Sequence, residues 1–179
     1  ARLDEENFRL YNIVGKPVAP PYKTAAIWTH PRQTHGQLEF ALSGDYIADP
    51  RLVSDWSNDP WRQHPLGIER ASHIGVVVRD LSAAKRLYCD VLGETLIHEE
   101  QVGGRKHSAF VAVGEDTIVE LIQPLSPTSP EGRELEQNGE GIYSLIFKTA
   151  DLGQAQAFLK SKQQLPEEDD ADTIIVGPD

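Results

Sequence analysis

The sequence predicts an α+β fold of paired βαβββ modules that form a cupped mixed sheet around a cavity. Three observations predict it. A β-branched run, Ile74-Gly75-Val76-Val77-Val78, leads through Arg79-Asp80 into apolar residues at helical spacing. Three further alternating segments follow, separated by glycine-rich turns. The opening pattern then recurs: Ser144 to Asp151-Leu152 has the register of His73 to Asp80-Leu81, seven residues from first position to aspartate.

Residues 1–45 read as the C-terminal part of a βαβββ module, with strands at Thr24–Thr29 and Gln37–Leu42 joined through His30 to Gly36 and no helix before them. Residues 46–68, rich in Asp and Pro and carrying Trp56 and Trp61, read as a linker. Residues 69–124 form the complete module. Its first strand ends at Arg79, and Asp80 can cap a helix whose apolar side is Leu81, Ala84, Leu87, Tyr88, Val91 and Leu92 before Gly93 closes it. Strands at Thr95–His98, Ser108–Val113 and Thr117–Gln123 come next, with turns at Gly103-Gly104 and Gly114-Glu115-Asp116. Residues 125–140 make a proline-rich connecting loop and a short polar helix from about Glu131 to Asn138. Residues 141–179 start a second module, with Asp151 and Gln154 in capping-box positions, a helix bearing Leu152, Ala155, Phe158 and Leu159, an acidic stretch from Glu167 to Asp172, and a strand at Thr173–Val176.

Composition bounds the function. With a net charge of −11, the chain would be repelled by a nucleic acid or an anionic membrane, and the same charge weighs mildly against phosphate-rich ligands. No apolar run reaches the ~18 residues of a membrane span, so a cytoplasmic protein with a small-molecule ligand is expected. The single cysteine, Cys89, falls among helical apolar positions and reads as a buried hydrophobe. There is no methionine, even at position 1, as expected of an incomplete sequence.

On the strand Thr117–Gln123, Glu120 shares a face with Ile118 and Ile122. An unpaired carboxylate buried there would cost several kcal/mol or take up a proton, so Glu120 faces a cation, a buried partner or a polar cavity; the alternative is an edge strand with Glu120 in water. His73 begins the opening strand on the face of Gly75 and Val77, where the glycine leaves room for the ring. Histidine nitrogen with carboxylate oxygen suits a divalent cobalt, nickel, manganese, zinc or iron ion.

Ser72-His73 through Asp80-Leu81, Tyr88 through Gly93, and Val119-Glu120 through Pro130 resemble the vicinal oxygen chelate superfamily of glyoxalases, bleomycin-resistance proteins and dioxygenases, and within it methylmalonyl-CoA epimerases. The resemblance spans about residues 70–162. It implies that His73 and Glu120 are metal ligands. The stretch His30 to Glu39-Phe40 looks like the end of another such domain, which makes Glu39 a further ligand and, with Glu120, a catalytic carboxylate. The spacing from Gly36 to Glu39 is one residue short, and a one-residue slip turns a strand side chain over. Tyr143-Ser144 stand where the epimerases have paired histidines, the second a ligand, and Lys106-His107-Ser108 stand where they have a second catalytic glutamate. Tyr143, Ser144 and His107 are thus expected beside the substrate, His107 as an acid or base unless it faces solvent, and Arg105 with Lys106 as a basic rim for CoA phosphates.

The resemblance implies a metal-dependent isomerase or lyase that moves a proton next to a polarised carbonyl. A degenerate member that only binds a small molecule, or serves as a structural half, is the rival, supported by Ser144. An extradiol-type dioxygenase is third, since it needs two histidines and a carboxylate. If residues 1–45 complete the module begun at 141, then His73, Glu120 and Glu39 share one cavity. Partial modules leave open edges, so a homodimer or part of a longer tandem-module chain is expected.

Overall fold

A computed structural model describes residues 2–24, 26–41, 55, 57, 59–164, 168–169 and 173–176. Part of the predicted linker, including Trp56, and part of the acidic stretch lie outside the described residues. The fold is α+β with open sheets and few helices, as the sequence predicts. The chain divides into two compact units, Ala1–Ala48 with His73–Leu145, and Asp49–Ser72 with Ile146–Asp179.

In the first unit, a one-turn helix α1 (Arg2–Glu5) precedes strands β1 (Leu10–Tyr11), β2 (Pro17–Val18), β3 (Ala26–Thr29) and β4 (Glu39–Ala41), which make a four-stranded sheet in the order β2-β1-β3-β4. Helix α1 and the β1–β2 hairpin correct the expectation that only two strands and no helix occupy this region. Thr34, fully buried, bonds Thr29 across the turn at 2.6 Å and donates to the Gly36 carbonyl, which holds the β3–β4 connection in shape.

Next come α2 (Asp59–Gln63), β5 (Ile68–Val77), α3 (Leu81–Lys85) continuing as a π-helical turn (Arg86–Val91), β6 (Thr95–Val102), β7 (Lys106–Val113), β8 (Thr117–Pro124), α4 (Pro130–Asn138) and β9 (Gly141–Thr149). The five-stranded sheet runs β6-β7-β8-β5-β9, with β5 parallel to β8 and the β6-β7-β8 meander antiparallel. Asp80 caps α3 as predicted, accepting from the Ser82 and Ala83 N–H groups at 2.9 and 3.0 Å. Gly93, at φ +86°, takes the left-handed turn that releases the chain into β6.

Strand alternation sorts the two faces of this sheet. Ile74, Val76 and Val78 of β5 and its exit, Ala109 and Val111 of β7, and Val119 and Leu121 of β8 pack with Leu81, Ala84, Leu87, Tyr88 and Val91 of the helix. Leu3, Leu10, Val18 and Ile27 of the N-terminal segment join that same cluster. On the opposite face, Val77 and Ile122 pack with Leu135 of α4 and Tyr143.

In the second unit, α5 (Leu152–Ser161) is capped by Asp151, which accepts from Gln154 N–H at 2.9 Å, and a two-stranded sheet joins β10 (Glu168–Asp169) to β11 (Ile174–Ile175). The His64 ring packs edge-on to Phe158 at 4.9 Å, and the Ala150 N–H donates to the Gly67 carbonyl.

Candidate functional site

Three strands bring the site together on the face away from the helix. In the parallel pair, Gly75 lies opposite Glu120, so His73, two residues earlier on β5, shares the face of Glu120. In the antiparallel pair, Phe110 lies opposite Glu120 and Ser108 opposite Ile122, so alternation places Lys106, Ser108 and Phe110 on that face as well.

The Glu120 side chain is only 5% exposed. Its Oε1 accepts from Lys106 Nζ and from Ser108 Oγ, both at 2.7 Å, while its Oε2 lies 3.4 Å from His73 Nε2. The His73 ring stands edge-on to Phe110, with centroids 5.5 Å apart. Burial pushes the Glu120 carboxyl pKa up, but the bonds from His73, Lys106 and Ser108 together with the Lys106 charge outweigh it and bring the value down to about 2. The carboxylate is therefore ionised at neutral pH, and the ammonium that compensates it comes from the chain itself.

Neighbouring groups fix Lys106 in place. Arg105 grips Glu131 of α4 with Nη2 at 2.6 Å and Nε at 3.1 Å, and the Arg105 carbonyl accepts from the Leu125 N–H. Glu131 is fully buried; burial raises its pKa, but the Arg105 guanidinium takes it below the usual carboxylate value. Across the face, Gly75 is tight: a Cβ there would collide with Ser144 Oγ and meet Ile122 Cδ1 at 3.2 Å. Ser144 thus packs over β5 beside the cluster, and Tyr143 packs on Val77, Ile122 and Leu135.

The structure brings His73 and Glu120 together and corrects three expectations. Glu39 is exposed on β4, opposite Trp28, and the N-terminal segment packs on the helix side of the sheet, so Glu39 does not join the other two. His107 belongs to the other face of β7 and sets Nε2 2.9 Å from Glu99 Oε1, so it is not beside the cluster. Arg105 and Lys106 form no free basic rim, because each is engaged by a carboxylate. The sequence reading missed Ser108 and placed Lys106 on a substrate rim rather than on Glu120. The predicted turn at 114–116 carried the signal, since it pairs Val113 with Thr117 and hence Phe110 with Glu120.

The residues fit a divalent ion poorly. A chord of 3.4 Å between His73 Nε2 and Glu120 Oε2 would admit one ion bonded at ~2.1 Å to each. Yet among the described residues no third histidine, cysteine or carboxylate joins them. The carboxylate is already neutralised by Lys106, and a dication on Oε2 would sit within a few ångströms of that ammonium, a repulsion on the order of several kcal/mol. Two hollows among the described residues lie elsewhere. One, of about 360 Å³, is bounded by Tyr11, Ile13, Trp28 and His30, the other, of about 220 Å³, by Leu125, Pro127 and Leu135.

Comparisons with known proteins bear on the family and the fold. The family model described as Glyoxalase/Bleomycin resistance protein/Dioxygenase superfamily matches residues 70–170, more than half of the chain. The uncharacterized protein YqjC of Bacillus subtilis is 36% identical over 81 residues, 45% of this chain and 57% of that protein, so the chain spans little more than half of this relative. The crystal structure of methylmalonyl-CoA epimerase from Mycobacterium tuberculosis superposes with a TM-score of 0.50 at 32% identity, covering 54% of this chain and 65% of the epimerase. A methylmalonyl-CoA epimerase in complex with methylmalonyl-CoA and NH4+ superposes with a TM-score of 0.53 at 26% identity, covering 57% of this chain and 75% of that one.

Proposed function

Because this chain belongs to the Glyoxalase/Bleomycin resistance protein/Dioxygenase superfamily, we propose that it moves a proton at the carbon next to the carbonyl of a small acyl or carbonyl compound, as an isomerase of epimerase type. The observation that carries this reading is the buried, ionised Glu120 with the His73 imidazole against it on one sheet face. The epimerase likeness favours isomerisation over a lyase reaction and makes an acyl thioester the first substrate to try.

Glu120 holds its proton too weakly to serve as the base near neutral pH, where an effective base has a pKa close to the working pH. His73 is the proton carrier. It takes the proton from the α-carbon and the C–H electron pair becomes the enolate; a solvent water on the opposite face protonates the carbon and inverts the centre, and the imidazolium gives its proton back to solvent. Glu120 is a positioning residue, which orients the ring and balances the imidazolium while it exists. Ser108 and Lys106 keep the carboxylate charged throughout. A metal of the kind common in this superfamily would find only two donors here among the described residues.

Proton exchange from deuterated water into propionyl-CoA and methylmalonyl-CoA, followed by NMR, tests this. Exchange above background is expected, with a loss of about 10²-fold or more in His73→Ala. No exchange with thioesters or with small 2-oxo acids would sink the proposal. A second reading, ligand binding without turnover, is favoured by Ser144 at the position where the epimerase motif has histidine; it predicts binding of an enolate mimic with no exchange.

A further inference from the structure

We propose that this site works without a bound metal, with the Lys106 ammonium as its fixed cation for the oxygen of an enolisable carbonyl ligand; this rests on the proton-transfer reading above. Lys106 Nζ lies 2.7 Å from Glu120 Oε1, and the lysine side chain is 19% exposed, buried enough to be held and open enough for a ligand to reach. An ammonium has three donors; among the described residues Glu120 takes one of them, so two N–H groups remain for a carbonyl or enolate oxygen. The Arg105–Glu131 clamp and the pairing of Lys106 with Pro124 pin the backbone from which this side chain projects. A preorganised positive charge beside a developing oxyanion does the electrostatic work otherwise done by a Lewis acid. The rest of the cluster agrees: one carboxylate, one ammonium and a neutral serine at 144 leave no net negative charge to attract a dication.

The ligand class that follows is a small carbonyl compound passing through a monoanionic enolate. Two calorimetric titrations of the full chain, freed of metal with EDTA and checked by elemental analysis, test this. One uses cobalt(II) alone, after the chelator is removed; the other uses the nitronate of nitroethane, an enolate-shaped monoanion, with EDTA present. The nitronate should bind the wild type in EDTA, at least 10-fold more weakly in Lys106→Met and about equally in Lys106→Arg. Cobalt should bind the wild type no tighter than about millimolar, and Lys106→Met at least 10-fold tighter, because the His73–Glu120 pair has then lost its ammonium. The wild-type arms need no variant to fold. Micromolar cobalt binding by the wild type, on which nitronate binding depends, overturns the proposal and leaves the proton-transfer reading standing; a folded wild type that binds nitronate neither with cobalt nor without it overturns both.

Discussion

Lys106→Met removes the charge that answers Glu120 and keeps most of the aliphatic volume. The wild-type carboxyl is lowered from 4.5 to about 2, a difference that corresponds to about 3 kcal/mol of stability at neutral pH. Because the folded-state value is depressed, that stability is present in full above pH 4.5 and is lost as the pH falls from there toward 2. Without Lys106, His73 and Ser108 alone must offset the burial of a side chain 5% exposed. Breaking a buried pair by deleting one partner costs about 3–5 kcal/mol, and the partial exposure of Lys106 places this case near the lower end. Urea unfolding at pH 7 should therefore show a loss of about 3 kcal/mol, recovered in large part by Glu120→Gln in the same chain. The difference from wild type should shrink as both carboxyls take up protons below about pH 3. A loss under about 1 kcal/mol at pH 7, with the same acid transition as wild type, would refute the placement of Lys106 on Glu120.

Two further substitutions probe the surroundings of the cluster. Gly75→Ala should cost about 1–3 kcal/mol in urea unfolding, and Ser144→Ala in the same chain should restore most of it, since the Ser144 Cβ lies 3.5 Å from the added atom; a neutral Gly75→Ala would mean that Ser144 does not pack there. Glu131→Gln leaves Arg105 with a neutral partner and should cost about 2–3 kcal/mol at pH 7. As the Glu131 pKa is lowered in the folded protein, that deficit should narrow on acidification through the carboxylate range, which thermal unfolding across pH would register.

How legible the molecule was in its sequence depended on whether the signal was local. The strand, aspartate cap and helix at 73–92 are short-range patterns, and Asp80 occupies the cap as the spacing demands. Glu120 stood out because a carboxylate between Ile118 and Ile122 had to be answered by something. Which group answers it depends on pairing between strands, and there the reading followed His107 rather than its neighbours on the other face. Strand β6 extends beyond the predicted Thr95–His98 because Glu99-Glu100-Gln101 is an unbroken polar run with no alternation to mark it as strand. Strands β1 and β2, two residues each, are below the length at which a period can be seen. Glu39 failed for a long-range reason: no local pattern says that β1 to β4 pack on the helix side of the other sheet.

The order in which these strands are joined has a kinetic consequence. The β6-β7-β8 meander closes through two short turns, and with it Lys106, Ser108 and Glu120 come together on one hairpin. His73 arrives by a different route, since Ile74 pairs with Val119, some 45 residues further along the chain. Closing that loop carries the larger entropic cost, and long-range parallel pairing is intrinsically slow. This topology predicts that Glu120 meets its ammonium before its imidazole, so that the chain itself neutralises the carboxylate while the rest of the sheet is still assembling.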